Sequence, residues 1–101
     1  METHIDTSDG TSIIIIDEKQ LLGIENETFQ TLVQHSIEQG SKNISVDLSN
    51  VKFISSWGIE GFLHAYKTCT NKNVNFNLKN VNATVKNVLS KLKLTDIFNI
   101  T

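Results

Sequence analysis

Two adjacent serines and the only tryptophan of the chain stand together as Ser55, Ser56 and Trp57. A serine hydroxyl can accept a phosphate, which adds negative charge and strong hydrogen-bond acceptors. It can equally cap a helix by accepting a backbone hydrogen bond. Trp57 is either a core residue over the start of a helix or an exposed anchor for a protein partner. The residues alone leave both pairs of alternatives open.

A phosphate at this position would lie beside the start of a predicted helix. The helix dipole is positive at that end, so the added negative charge need not disrupt the helix. The modification would then change which partner can dock while the fold persists. The spacing is therefore compatible with a phosphorylation switch at the surface.

The residue types of catalysis and metal binding do not converge. His64 and Cys69 are five positions apart on one predicted helix, which sets them about 140° apart and keeps a nucleophile from its base. His4 and His35 fall on other elements without metal-ligand spacing. Neither a phosphate-binding glycine loop ending in Lys-Ser or Lys-Thr nor a dinucleotide fingerprint is present. We expect no enzyme activity, cofactor or metal, and we expect Cys69 to be buried.

Charge and glycine spacing raise nucleic acid as a partner, but the chemistry disfavours it. Residues 1 to 60 hold ten acids and three lysines, whereas residues 61 to 101 hold one acid and six lysines. The chain has no arginine, the residue that dominates bidentate contacts to guanine and phosphate. Gly58 and Gly61 have the spacing of a nucleic-acid-clamping loop, but close helix packing or tight backbone geometry is the simpler interpretation. We expect no nucleic-acid partner.

Length and composition predict one globular domain over residues 1–101. Its hydrophobic content of 39% is enough for a single core, and its 101 residues are too few for a second. No apolar run is long enough to cross a bilayer, and the start lacks the basic and apolar regions of a signal peptide. A single cysteine cannot form an intrachain disulfide. We expect a cytoplasmic protein without a membrane partner.

The periodicity of apolar residues predicts the elements that position the serines. A hairpin is predicted at Asp9-Gly10, with strands His4 to Thr7 and Ser12 to Ile16. The next segment, Asp17 to Gly23, either extends the second strand or forms a loop. The isoleucine run Ile13 to Ile16 is typical of a strand buried on both faces inside the sheet.

Helices and strands then alternate along the rest of the chain. A first helix is predicted with Asn26 as its cap and Gly40 at its end, followed by a strand through Ile44, Val46 and Leu48. A second helix from Gly58 to Cys69 leads to a strand through Val74, Phe76 and Leu78. A third helix, capped by Asn82 with Val85, Val88, Leu89 and Leu92 on one face, is followed by a short strand of Ile97, Phe98 and Ile100. The order ββαβαβαβ predicts an α/β fold, with the hairpin leading into a mostly parallel mixed sheet covered by helices.

The segment Val46 to Ile59, Val-Asp-Leu-Ser-Asn-Val-Lys-Phe-Ile-Ser-Ser-Trp-Gly-Ile, resembles the signature of STAS domains, in particular those of bacterial anti-sigma factor antagonists. In that family an aspartate-bearing strand and a short turn lead through Asp-Ser-Ser-Gly-Leu or Ser-Ser-Ala-Gly-Leu into a helix. The resemblance implies a single STAS-like domain over residues 1–101. Many relatives continue into a last helix after the position of Thr101, so this chain is either naturally short or trimmed.

The resemblance also implies a function. The unphosphorylated antagonist docks on a GHKL-type serine kinase that acts as an anti-sigma factor; phosphorylation breaks the docking, and a PP2C-type phosphatase restores it. By this resemblance Ser56 is the preferred phosphate acceptor and Ser55 the second choice, and residues 55 to 61 form the partner-binding surface: Ser55, Ser56, Trp57, Gly58, Ile59, Glu60 and Gly61. No cofactor is implied.

Two departures from the family's pattern lie within the signature itself. In the Asp-Ser-Ser-Gly form the acceptor serine stands directly before the glycine, where this chain has Trp57, and the aspartate is replaced by Ser55. The alternative is a phosphorylation-independent STAS scaffold or small-ligand sensor in which Ser56 is only a cap.

Overall fold

An antiparallel hairpin begins the fold in the computed structural model, which describes residues 2–6, 9–21 and 26–100. Strands β1 (Glu2–Asp6) and β2 (Thr11–Ile15) pair with Asp6 opposite Thr11. The Asp9 carboxylate accepts a hydrogen bond from the Thr11 N–H at 3.0 Å. Gly10 has a φ of +74°, a conformation that glycine adopts without strain. The predicted turn is confirmed, while Thr7 and Gly23 lie outside the described residues.

The main sheet has the strand order β1-β2-β4-β6, in which β4 (Asn43–Asp47) and β6 (Asn75–Lys79) run parallel to β2. Ile14, Val46 and Leu78 lie side by side across these strands and are fully buried. They belong to one core cluster with side chains from all three helices. The predicted α/β architecture with a mostly parallel sheet is therefore confirmed.

Strand β2 lies inside the sheet as predicted, but it is not fully buried on both faces. Ile14 and Ile16 are fully buried, whereas Ile13 and Ile15 are only half-buried. The reason is the neighbouring strands, because the second face of the sheet is lined with polar side chains. Ser45 and Asn77 hydrogen-bond to each other there, as do Asn43 and Asn75.

A second, two-stranded parallel sheet consists of β3 (Gln20–Leu21) and β5 (Phe53–Ile54). Neither strand was predicted, because two residues are too few to show a period. The Lys19 carbonyl accepts hydrogen bonds from the N–H groups of Lys52 and Phe53 at 2.7 and 3.2 Å. This pairing holds the segment before the two serines in an extended conformation.

The described residues form three helices, α1 (Asn26–Glu38), α2 (Ser56–Asn71) and α3 (Ala83–Lys91). Helices α1 and α2 pack together, with the rings of Phe29 and Phe62 edge to face at 5.6 Å. The Gln30 side-chain amide also donates to the Gly61 carbonyl at 2.8 Å. Buried Gly61 thus lies in a close helix contact, as expected. In the described part of the chain, no helix has both the length and the apolar character needed to cross a membrane.

All three helices end with a left-handed residue, Gly40, Asn73 and Lys93, with φ of 90°, 59° and 59°. The next N–H in each case returns to a carbonyl five residues earlier: Ser41 to Ser36, Val74 to Cys69, and Leu94 to Leu89. This is the Schellman motif, which satisfies otherwise unpaired carbonyls of the last turn. Gly40 therefore ends α1 as predicted.

The predicted final strand of Ile97, Phe98 and Ile100 is wrong, because residues 95–99 form turns. The Phe98 N–H donates to the Leu94 carbonyl at 3.0 Å, and the Phe98 carbonyl accepts from the Leu78 N–H at 3.1 Å. The fully buried Phe98 ring meets Phe62 and Phe76 edge to face at 6.1 and 6.2 Å. The apolar residues of this segment therefore include one aromatic side chain, Phe98, that fills the core, and they do not form a strand.

Candidate functional site

Ser55 is the N-cap of α2. Its backbone is extended, with φ of −96° and ψ of 171°, because it directly follows strand β5. Its hydroxyl oxygen accepts a hydrogen bond from the Gly58 N–H at 3.3 Å. The capping alternative is thereby confirmed for Ser55. The helix begins at Ser56, two residues earlier than the predicted start at Gly58.

Ser56 is the first residue of α2, and its side chain is exposed. The first turn of the helix contains no acidic residue. The positive end of the helix dipole is therefore not already compensated by a carboxylate. The two serines therefore differ in accessibility, because Ser55 is half-buried against the helix start. Phosphorylation of Ser56 stays a prediction.

Trp57 is 71% exposed. This exposure excludes the core alternative and leaves the tryptophan on the surface. Phe53 on β5, which sequence reasoning did not single out, is 56% exposed. An exposed aromatic residue in a two-residue strand gives no periodic signal that would separate it from a core position.

Ser56 lies on the rim of a groove of about 320 Å³ between α2 and the end of α3, lined by Ser56, Ile59, Glu60, Leu63, Leu92 and Leu94. We call this the Ser56 groove. Leu92 was predicted on the inward face of α3, but it is the C-cap of that helix and is 54% exposed. The helix ends before Leu92, and Leu94 is buried instead. As a result, exposed Leu92 lines the same groove as Ser56.

The predicted surface from residue 55 to residue 61 is exposed only in part. Ser56, Trp57 and Glu60 are exposed, whereas Gly58, Ile59 and Gly61 are buried. Ile59 lines the Ser56 groove. Gly58 and Gly61 are instead buried in the packing of α2. Their burial does not support a direct contact with a partner, and that contact stays a prediction.

The Asp47 carboxylate links the ends of strands β4 and β6. One carboxylate oxygen accepts from the Ser49 N–H at 2.9 Å and the other from the Asn80 side-chain amide at 3.2 Å. Partial burial acts to raise the pKa of Asp47, but the hydrogen bonds from Ser49 and Asn80 and the charge of Lys79 outweigh it, so the pKa is lowered. The aspartate of the signature therefore has a structural explanation.

The cysteine and histidines are separated from the Ser56 groove. Cys69 is buried as predicted, and desolvation raises the pKa of its thiol to about 11, which leaves no reactive thiolate at neutral pH. His35 and His64, distant in sequence, line one polar groove between α1 and α2 together with Glu38. Within residues 2–6, 9–21 and 26–100, no group of three or more His, Cys, Asp or Glu side chains is placed to hold a metal ion.

Comparison with known proteins gives the following matches. The family model for the STAS domain matches residues 3–101. A candidate anti-sigma factor antagonist of Thermotoga maritima superimposes with a TM-score of 0.79 at 25% identity, covering 98% of this chain and 83% of that one. The unphosphorylated anti-sigma factor antagonist SpoIIAA gives a TM-score of 0.77 at 18% identity, covering 99% and 86%.

A transport-related protein has the same fold. A sulfate transporter family protein of Wolinella succinogenes gives a TM-score of 0.80 at 14% identity, with 94% of this chain and 75% of that chain covered. Comparison with curated protein sequences found no match.

Proposed function

We propose, since this chain belongs to the STAS domain family, that it is a partner-switching regulatory module of the anti-sigma factor antagonist type. It forms a single domain over residues 1–101 and acts in the cytoplasm by binding proteins rather than by catalysis. Its partner is a GHKL-type serine kinase that also serves as an anti-sigma factor, so that binding regulates transcription. The likeness to anti-sigma factor antagonists supports this role.

The observation that carries the proposal is the division of roles between the two serines. Ser55 uses its hydroxyl oxygen to cap α2, whereas Ser56 is exposed on the rim of an apolar groove. A kinase can reach an exposed hydroxyl without unfolding the helix. Ser56 is therefore the switch residue, and Ser55 positions it.

The switch step is a phosphoryl transfer from ATP held by the kinase. The Ser56 oxygen attacks the γ-phosphorus, the hydroxyl proton passes to a base of the kinase, and the bond from phosphorus to the leaving ADP breaks. The phosphate then lies at the positive end of the α2 dipole, which helps the helix to persist. A PP2C-type phosphatase restores the hydroxyl by hydrolysis.

Trp57 stands where the serine acceptor stands in the Asp-Ser-Ser-Gly form of the family signature. A large exposed aromatic side chain beside Ser56 fits an interface anchor, because tryptophan removes much apolar area from water on binding. In this chain the acceptor is thus displaced by one position, and the residue after it provides contact area for the partner.

Intact-mass measurement tests the proposal. The protein is incubated with ATP and the serine kinase encoded beside it, and we expect the mass of one added phosphate. Ser56→Ala abolishes the addition. Ser55→Ala is the matched control, because it removes the neighbouring hydroxyl and leaves the acceptor. If phosphate is still added to Ser56→Ala but not to Ser55→Ala, the acceptor is Ser55 and the assignment to Ser56 is wrong.

A phosphorylation-independent STAS scaffold or small-ligand sensor is the second candidate. The tryptophan at the usual acceptor position favours it, and the likeness to a sulfate transporter family protein shows that the fold is not confined to antagonists. The second function replaces the first under two conditions. Several GHKL-type serine kinases must add no phosphate, and the protein must still bind a partner in a way that Trp57→Ala weakens.

A further inference from the structure

One exposed apolar side chain lines the Ser56 groove, and two more lie on elements next to it. Among the described residues, four large hydrophobic side chains are exposed: Phe53, Trp57, Leu92 and Ile97. Leu92 lines the groove, Trp57 follows Ser56, and Phe53 lies on β5, which contacts both α2 and α3. Ile97 lies in the turns after α3 and does not line the groove. The groove with its exposed leucine is therefore the candidate interaction surface.

Lysines accompany these apolar side chains. Lys52 precedes Phe53, and Lys91 and Lys93 stand on either side of Leu92; all three are exposed. Lys93 is also the left-handed residue of the α3 C-terminal motif, which fixes its backbone between two leucines of the groove. On the α3 side, two exposed lysines therefore stand directly beside a lining residue of the groove.

Acidic charge around the groove is sparse. Glu60 is the one acid among the six lining residues. No Asp or Glu occurs from residue 61 to residue 95, so α3 and most of α2 bring none. Lys91 and Lys93, the direct neighbours of a lining leucine, thus outnumber Glu60 at the groove, while the next acid, exposed Asp96, follows Leu94 by two residues. Interfaces pair a positive patch with the opposite sign.

We infer that the Ser56 groove receives an acidic amphipathic segment of the protein partner. An apolar side chain of that segment enters the groove between Ile59 and Leu92, and its carboxylates pair with Lys91 and Lys93. The inference rests on the proposed function and adds the chemistry of the partner to it. The absence of arginine and the apolar lining make a protein segment a better match than a phosphate backbone.

This chemistry also determines how phosphorylation acts. A phosphate on Ser56 adds negative charge on the rim of a groove whose occupant is acidic, and like charges at an interface repel. Release of the partner is then electrostatic, and the fold stays intact. A salt-dependent affinity follows, because the screening length is about 8 Å at physiological ionic strength.

Trp57 provides a direct readout, because it is the only tryptophan and is 71% exposed. The full chain is titrated with two synthetic helical peptides that carry the same leucines, one with glutamate and the other with lysine at the polar positions. We expect the acidic peptide to shift the Trp57 emission to shorter wavelength and to bind at least about tenfold more tightly than the basic peptide. The preference should shrink as salt is added.

Paired variants locate the site. Lys91→Glu with Lys93→Glu should abolish or reverse the preference, whereas Lys67→Glu with Lys72→Glu, the same charge change at exposed positions near the C-terminal end of α2, should preserve it. Leu92→Ser should weaken acidic-peptide binding, and Ile97→Ser is its matched control. Melting curves establish that each variant is folded.

Any of three peptide results would overturn the inference: equal or tighter binding of the basic peptide, no change in Trp57 emission with either peptide, or an effect of the Lys67 and Lys72 pair as large as that of Lys91 and Lys93. A shift produced only by anionic phospholipid vesicles would assign the groove to a membrane and also reject it. Failure here together with phosphate addition at Ser56 would leave the proposed function standing. Acidic-peptide binding without phosphate addition would retain the docking surface and reject the switch.

Discussion

The Ser55 hydroxyl oxygen lies 3.3 Å from the Gly58 nitrogen and caps α2, and this hydrogen bond separates the roles of two adjacent serines. Ser55 stabilises the start of the helix, while Ser56 presents its hydroxyl at the exposed rim of the groove.

Ser55→Ala should therefore destabilise the protein by about 1 kcal/mol, the usual effect of losing an N-cap. Ser56→Ala should change the free energy of unfolding by less than about 0.5 kcal/mol, as expected for an exposed position. Urea denaturation of the two variants and the parent measures both values. Equal losses would contradict the assignment of Ser55 as the cap.

Trp57→Ala should weaken partner binding while changing the free energy of unfolding by less than about 0.5 kcal/mol, because the side chain is mostly exposed. A loss of about tenfold or more in affinity is expected for an interface anchor. Affinity is measured against the proposed kinase partner, and stability by thermal melting. Phe62→Ala is the contrasting control, since its fully buried ring should destabilise by about 3–5 kcal/mol. A similarly destabilised Trp57→Ala would show that the tryptophan is structural.

Lys93→Gly should stabilise the protein although it removes a surface lysine. A side chain in the left-handed conformation costs about 1–2 kcal/mol, and the added freedom of glycine in the unfolded chain returns about 0.4–1 kcal/mol of that. The net gain is on the order of 0.5–1 kcal/mol, measurable by chemical denaturation. Asn73→Gly, at the equivalent position of α2, should gain less because asparagine tolerates this conformation better. A loss of stability in Lys93→Gly would mean that the lysine side chain stabilises the fold.

Ser36→Ala should also be stabilising. The Ser36 side chain is fully buried, and its hydroxyl has no hydrogen-bond partner among the residues that the structure describes. Removing such a group should raise the free energy of unfolding by about 1 kcal/mol. Ser12→Ala is the matched control: buried Ser12 hydrogen-bonds to Ser41, so its loss leaves Ser41 unpaired and should destabilise by about 1–3 kcal/mol. The same sign for both variants would argue against this difference.

Asp47→Asn should lower stability at neutral pH by less than about 1 kcal/mol, because the carboxylate is only partly shielded from solvent. The pKa of Asp47 is lowered in the folded state, so its stabilising contribution is present above the ordinary pKa of 3.8 and is lost as pH falls through the folded value. Parent and variant should therefore converge below about pH 4. Denaturation curves at pH 7, 5 and 3 provide the comparison, and a constant difference across them would exclude this linkage.

The local structure and the family could be inferred from sequence because their signals are local. The Asp9-Gly10 hairpin, the three amphipathic helices and the strands through Val46 and Leu78 agree with the structure. The STAS resemblance is confirmed by the family match over residues 3–101. The two short strands β3 and β5 escaped prediction, because hydrogen bonds between distant segments define them rather than any repeating pattern.

The sequence by itself determined the N-terminal hairpin, the three helices with the main-sheet strands between them, the passage from extended chain to helix at the two serines, and the family, because periodicity, turn residues and a contiguous motif are properties of neighbouring residues. Only the tertiary structure decided that Ser55 is the cap, that Trp57 is exposed, that Phe98 fills the core and that Leu92 lies beside Ser56. Those outcomes depend on how α2 and α3 pack around one core, and packing brings together residues whose spacing along the chain carries no signal.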